Sequence, residues 1–216
     1  YFSDNLRFID LKVLNPKVSP NTDGLDPESC KNVEIVGVYF SLGDDCIAVK
    51  AGKIYMGAKY KRPCENLMIR QCCMRDGHGS VTIGSEMAGG VINLTVKDCL
   101  FINTDRGLRI KTRRGRGKDA IVDGILFDNI QMDQVMTPLV INRFYFCDIL
   151  SMFAARRHFR LMSVLPRSAV LYSKILRQKT VMLQVLSSTD FRRKKSRRWL
   201  WNMFILPMMK TRSQEL

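Results

Sequence analysis

The sequence predicts an all-β protein, a parallel β-solenoid over residues 1–147 followed by a basic tail of another composition, and three observations predict it. Segments opening Asn-apolar-x-apolar recur as Asn5-Leu6-Arg7-Phe8, Asn32-Val33-Glu34-Ile35, Asn66-Leu67-Met68-Ile69 and Asn93-Leu94-Thr95-Val96, with Gly124-Ile125-Leu126-Phe127 carrying Gly in the Asn slot. A second apolar pair follows the last four of these at constant offsets of 15 and 17 residues: Ile47/Val49, Val81/Ile83, Leu108/Ile110 and Leu139/Ile141. Both segments alternate with period two, are separated by Gly, Asn and Asp, and show no helical periodicity.

The coils follow in order. The first, from Asn5, needs a five-residue insertion before Leu25 takes the slot that Ile47 fills in the second. Successive coils start 27, 34, 27 and 31 residues apart, and from the second coil on the length variation falls wholly after the second apolar pair. Such units cannot bury an apolar face alone, so they stack, with the apolar pairs in the bore and alternate residues outside. The recurring Asn is then a side-chain ladder at a turn, and the sequon Asn93-Leu94-Thr95 is read as part of that ladder and not as a glycan acceptor.

The chain has 216 residues, 46% apolar and 25% charged, which excludes wholesale disorder, collagen and a coiled coil. No apolar run approaches the ~18 residues of a spanning helix. The net charge of +15 is uneven: residues 1–147 hold 20 basic and 17 acidic residues, residues 148–216 hold 15 and 3. All 14 glycines and all seven cysteines precede residue 148, whereas Trp199 and Trp201 follow it. The tail, with Arg192-Arg193-Lys194-Lys195, Arg197-Arg198 and the apolar run 199–209, is expected to be poorly structured or helical. Tyr1 stands where an initiator Met would be, so the N-terminus is expected to be missing and the compartment stays unassigned between secreted and bacterial cytoplasmic. Seven cysteines without a CxxC pair, and two histidines, favour reduced thiols and no metal or other cofactor.

The repeat also places polar residues on rungs about 4.8 Å apart. Asp44 and His78 share offset 12 and should be neighbours on adjacent coils, while Arg109 and Lys111 flank the inward Leu108 and Ile110 and point outward. The first-coil insertion sets Asp23 over Asp45, and Gly43 suggests a turn or bulge that lets Asp44 and Asp45 both face outward. Three carboxylates so crowded cost stability unless a function or a cation compensates. The structural alternative is a solvated wall in which Arg109 and Lys111 offset the repulsion. The functional reading is glycosidic bond cleavage, in which one carboxyl protonates the leaving oxygen and another activates water. Crowding should raise at least one pKa and so supply the acid. Arg109 and Lys111 would bind an acidic sugar's carboxylate, and His78 would orient or tune the acid.

Four motifs then carry a resemblance: Asn21-Thr22-Asp23-Gly24, Gly43-Asp44-Asp45-Cys46, Gly77-His78-Gly79-Ser80 and Arg109-Ile110-Lys111. Together and in this order they resemble the signature motifs of the polygalacturonases, glycoside hydrolase family 28, and the match spans roughly residues 5–147. The resemblance implies a right-handed parallel β-helix that hydrolyses α-1,4-galacturonan with inversion, which suits carboxyl groups ~6.5–9.5 Å apart. It implies Asp44 as general acid, Asp23 with Asp45 activating water, His78 in support, and Asn21, Arg109 and Lys111 binding substrate. The long Asp45–His78 interval, with residues 50–63 inside it, looks more like the bacterial exo-acting branch. The expected partners are polygalacturonate and oligogalacturonides, with no cofactor, nucleic acid or membrane, and the protein is expected to be a monomer.

The tail departs from the resemblance, which calls for further Gly- and Asn-containing coils after residues 144–148. A reading-frame shift near residue 148 and a solenoid truncated there, exposing an unpaired rung, are the expectation. The competing functions are rhamnogalacturonan hydrolysis, an inactive solenoid, and nucleic-acid binding through Arg192–Arg198 and Arg113–Lys118. A metal-dependent lyase is less suitable, because Arg109 and Lys111 occupy the flank where calcium-binding acids would help.

Overall fold

A computed structural model of the chain describes residues 1–113, 115–142, 145, 171–177 and 183–186. The first coil holds β1 (Asp4–Ile9) and β2 (Lys12–Leu14). The second holds β3 (Lys31–Val36), β4 (Tyr39–Ser41) and β5 (Ile47–Val49). After the short helix α1 (Ile54–Tyr60), the third holds β6 (Cys64–Arg70), β7 (Cys73–Arg75) and β8 (Val81–Ile83). The fourth and fifth fuse their first two strands: β9 (Val91–Ile102) with β10 (Arg106–Lys111), then β11 (Val122–Asp133) with β12 (Thr137–Asn142).

Every pairing among these strands is parallel, and the register is the repeat read from sequence. Leu6, Val33, Leu67, Leu94 and Ile125 align in one column. Ile47, Val81, Leu108 and Leu139 align in another, and Leu25 bridges Ile47 as the insertion requires. Phe40, Met74, Phe101 and Met132 form a third. Most of these side chains lie fully buried in the bore. Each contributes roughly 1.5–3 kcal/mol by leaving water, so the coils are held by stacking and not by any local unit. The thiols of Cys30, Cys46, Cys64, Cys72, Cys73 and Cys99 are free.

The Asn ladder exists, and its physical cause is backbone geometry as much as hydrogen bonding. Asn32 Nδ2 donates to Asn5 Oδ1 at 2.9 Å, Asn66 to Asn32 at 3.1 Å and Asn93 to Asn66 at 3.1 Å. All four sit in the left-handed region, φ between 55° and 58°, and Gly124 takes the fifth place at φ 64°. Asn tolerates that conformation through its short polar side chain and Gly through having none. A second corner repeats the rule with Asp10, Gly37, Gln71, Asp98 and Asn129, φ 49° to 65°.

Helix α1 is the one helix among the described residues of an otherwise all-β chain. It has seven residues, follows Lys53 at the N-cap without a side-chain cap bond, and buries only Gly57. Two turns without a cap or an apolar stripe leave no periodic signal. No helix among the described residues is long and apolar enough to cross a membrane. Within residues 148–216, β13 (Leu171–Arg177) and β14 (Leu183–Leu186) extend the two sheets, pairing in parallel with β11 and β12. The rest of that stretch, with Arg192–Arg198 and both tryptophans, lies outside the described residues.

Candidate active site

The polar wall forms where the bend before β5, the turn before β8 and strand β10 stack on successive coils. The bend at Gly43 and Asp44 is tied to the preceding coil by Gly43 N–H donating to Thr22 Oγ1 at 3.1 Å. Asp45 N–H then donates to Asp44 Oδ1 at 2.9 Å, which turns the two side chains apart. Asp44 remains partly exposed. His78 lies directly on it: its N–H donates to the Asp44 carbonyl at 3.1 Å, and its Nδ1 is 3.5 Å from Asp44 Oδ1.

Asp45 lies on the same outer wall as Arg109 and Lys111 but is covered there, its side chain 1% exposed. Lys111 Nζ donates to its Oδ2 at 2.7 Å and Arg109 Nη1 to its Oδ1 at 3.3 Å. The cause is the bend, which lays Asp45 along the wall beneath strand β10, where two cations offset the cost of desolvating it. Arg109 and Lys111 leave the bore as expected, but they too are nearly covered, at 13% and 10% exposure. Room for this cluster depends on Gly79. A Cβ there would overlap Thr82 Oγ1 and stand 2.7 Å from Asp45 Oδ1.

Asp23 stacks over Asp45, the link being Gly24 N–H donating to the Asp45 carbonyl at 3.0 Å. Its Oδ2 lies 3.4 Å from Lys50 Nζ, which also donates to Asp26 Oδ2 at 2.6 Å. Burial and the neighbouring Asp26 carboxylate push the Asp23 carboxyl up to about 6; Asp44 and Asp45 add to the rise, against the pull of Lys50. Burial first, with crowding beside it, therefore raises one carboxyl, and the residue raised is Asp23. Asn21 is exposed on the turn before it, at φ 55°.

Three members of the wall were not singled out from the sequence. Lys50 shares offset 18 with Lys111, a signal the repeat contains. Asp26 lies beside the first-coil insertion, where the offset rule breaks, and carries no such signal. Tyr145 lies beyond β12, its N–H donating to the Thr112 carbonyl at 3.1 Å. Its ring centroid is 5.5 Å from Arg109 Cζ and 5.2 Å from Lys111 Nζ, an aromatic face over both cations. Among the described residues no group of three or more His, Cys, Asp or Glu is arranged to hold a metal. The Cys46 thiol beside Asp45 is pushed well up by burial and by that carboxylate, which removes it as a nucleophile.

A wall of three aspartates, a histidine and two clamped cations on a parallel coil can transfer a proton to a leaving oxygen, polarise a water and hold an anion. Residues 1–152 match the family described as Glycosyl hydrolases family 28. The chain belongs to this family. It is 39% identical over 140 residues to a probable polygalacturonase of Vitis vinifera, covering 63% of this chain and 28% of that protein. An endo-polygalacturonase of Pectobacterium carotovorum subsp. carotovorum is 38% identical over 146 residues, covering 67% of this chain and 34% of the other. The solved polygalacturonase from Erwinia carotovora ssp. carotovora superposes with TM-score 0.53 at 33% identity, over 67% of this chain and 38% of that one. A hyperthermoactive exopolygalacturonase from Thermotoga maritima gives TM-score 0.51 at 29% identity, over 65% and 35%. The fold is the right-handed parallel β-helix of these polygalacturonase neighbours. The chain spans about a third of the length of the curated relatives it matches, and both endo- and exo-named members are among them.

Proposed function

We propose that this chain carries the catalytic wall of a polygalacturonase, hydrolysing α-1,4-galacturonosidic bonds of pectin with inversion. One observation carries the proposal: both Asp45 oxygens are held by Lys111 and Arg109, at 2.7 and 3.3 Å, on the wall where Asp44 meets His78. A uronate-specific hydrolase needs this pairing of acids with cations, because the cations recognise the sugar's carboxylate while the acids act on its glycosidic bond. Among the described residues Arg109 spends one of its five N–H donors on Asp45 and Lys111 one of three, which leaves donors for a uronate. The Tyr145 face over both cations forms one side of the space in which that sugar ring would sit.

Asp44, the partly exposed carboxyl, gives its proton to the glycosidic oxygen as the bond to the anomeric carbon breaks. Asp23 and Asp45 accept hydrogen bonds from a water on the opposite face, and one of them takes its proton as the water oxygen bonds to that carbon. Attack opposite the leaving group inverts the configuration. The step ends with Asp44 ionised and one base protonated, and solvent exchange restores both. His78, beside Asp44 Oδ1, orients the acid. Asn21 lies at the rim of the same wall and is assigned to substrate contact. The interval of residues 50–63, which carries α1, resembles the exo-acting branch and is the basis for assigning exo action.

The test is sugar release from polygalacturonate, with rhamnogalacturonan as the control substrate. Uronate release with an inverted anomer seen first by proton NMR is the expected result, and monogalacturonate as the first product separates exo from endo action. Release from rhamnogalacturonan alone, or turnover retained by Asp44→Asn, overturns the assignment.

A further inference from the structure

The cations of the wall divide their work. Arg109 and Lys111 both reach Asp45. Among the described residues the ammonium that reaches Asp23 is that of Lys50, which follows β5 and bridges Glu28 of the preceding coil. Its side chain is 20% exposed, and Nζ lies between Asp26 Oδ2 at 2.6 Å and Asp23 Oδ2 at 3.4 Å. The two ion pairs cross from one coil to the next, so they also fix where the Asp23–Asp26 turn stands relative to β5.

We infer that Lys50 is a positioning residue for the hydrolytic water: it holds the Asp23 carboxylate over Asp45 and keeps it ionised so that it can accept a proton. The inference rests on the reading of Asp23 and Asp45 as the water-activating pair. Asp23 faces Asp26 on its own turn, Asp44 and Asp45 on the bend of the next coil, and Lys50 after β5; Glu86 of the third coil acts on Lys50 in turn. Partial burial and, after it, three carboxylates favour the protonated form of Asp23, and a protonated carboxyl cannot serve as a base. The ammonium opposes them. Burial disfavours the charge on Lys50, but the hydrogen bond and charge of Asp26, with the charge of Asp23, outweigh it and raise the lysine's pKa. Lys50 is therefore a fixed cation at any pH where the enzyme would work.

A direct readout is carbon-13 NMR titration of aspartate carboxyls in the whole chain, with the Asp23 resonance assigned by its loss in Asp23→Asn. Lys50→Met is expected to raise the Asp23 midpoint by about one pH unit, since an opposite charge at this range lowers a carboxyl by ~1–3 units. Lys50→Arg is expected to restore it. Asp26→Asn is expected to move it the other way, because it removes a repelling charge and frees Lys50 for Asp23; this variant keeps the test decisive if Lys50→Met fails to fold. In the hydrolysis assay the acid limb of kcat/KM should shift with the midpoint in each variant, with KM little changed. An Asp23 midpoint that stays within ~0.2 pH units of wild type in Lys50→Met, or that rises in Asp26→Asn, overturns the inference. The carboxyl titration needs no turnover, so failure to release uronate would sink the polygalacturonase reading and leave this result to be judged separately.

Discussion

Asp45 and Lys111 are 66 residues apart in sequence and 2.7 Å apart in space, and neither side chain is more than a tenth exposed. A pair so placed is costly to break, because the surviving charge has no water to turn to. Lys111→Met should destabilise the protein by about 3 kcal/mol, the low end for a buried pair because Arg109 still reaches Asp45. Denaturant unfolding measures that loss. If Lys111 also binds the uronate, KM for polygalacturonate should rise, whereas a purely structural lysine would lower stability and leave the KM of the folded fraction unchanged.

The raised Asp23 carboxyl sets an acid limit on turnover. A base must be ionised, so kcat/KM should fall about tenfold per pH unit below about 6, where this carboxyl takes up its proton. A pH–rate profile on polygalacturonate checks it, and an acid limb near 4 would show that Asp23 does not limit the reaction.

The same residue makes an opposite prediction for stability. Its pKa is 3.8 ordinarily and about 6 in the folded chain, so the folded state binds the proton more tightly. The stabilisation this supplies is complete below about 4 and is lost as pH rises through about 6. Asp23→Asn should therefore be more stable than wild type at pH 7, by ~1 kcal/mol after discounting the ~1.4 kcal/mol per unit for screening of a partly exposed group. The advantage should vanish at pH 3.5. Thermal unfolding at the two pH values reads the difference, and an Asp23→Asn variant that is less stable at neutral pH would contradict it.

Asn66 separates two causes that the ladder combines. It donates to Asn32, accepts from Asn93 and holds φ at 58°. Asn66→Ala loses both bonds and leaves left-handed backbone to a residue without the short polar side chain that lets Asn tolerate it, costing roughly 2–3 kcal/mol. Asn66→Gly loses the bonds alone and should cost about 1 kcal/mol less. Equal midpoints in urea for the two variants would mean that backbone strain plays no part.

Much of this was legible in the sequence because a solenoid converts offsets into neighbours. The constant offset between Asn66 and Val81, repeated from Asn93 to Leu108, is the strand register itself, so Asp44 beside His78 follows from counting. What counting lacks is direction and depth. Asp45 is covered because Arg109 and Lys111 close over it from two coils on, while its bend is held by Thr22, a contact made by a loop outside the repeat. Asp26 lies beside the insertion that breaks the offset rule, and it is the carboxylate that contributes most to raising Asp23. Gly124 in the Asn column satisfies the same φ requirement by another means, which the residue pattern alone does not show.

The tightest point of the wall yields a prediction that separates position from stability. Gly79 has room for no side chain: a Cβ would overlap the buried hydroxyl of Thr82 and come within 2.7 Å of Asp45 Oδ1. Thr82 is fixed in β8 and Asp45 is clamped by two cations, so Gly79→Ala must displace one of them. Overpacking of this kind costs ~1–3 kcal/mol, and a carboxylate moved by a few tenths of an ångström away from a reacting water costs more in rate than in stability. Turnover in Gly79→Ala should drop at least about a hundredfold while the chain still folds. Adding Thr82→Ala removes the hydroxyl, which has no hydrogen-bond partner in the wall, and leaves the conflict with Asp45 in place. The double variant should thus recover unfolding midpoint without recovering turnover. If turnover returns with stability, the position of Asp45 is not what the glycine protects.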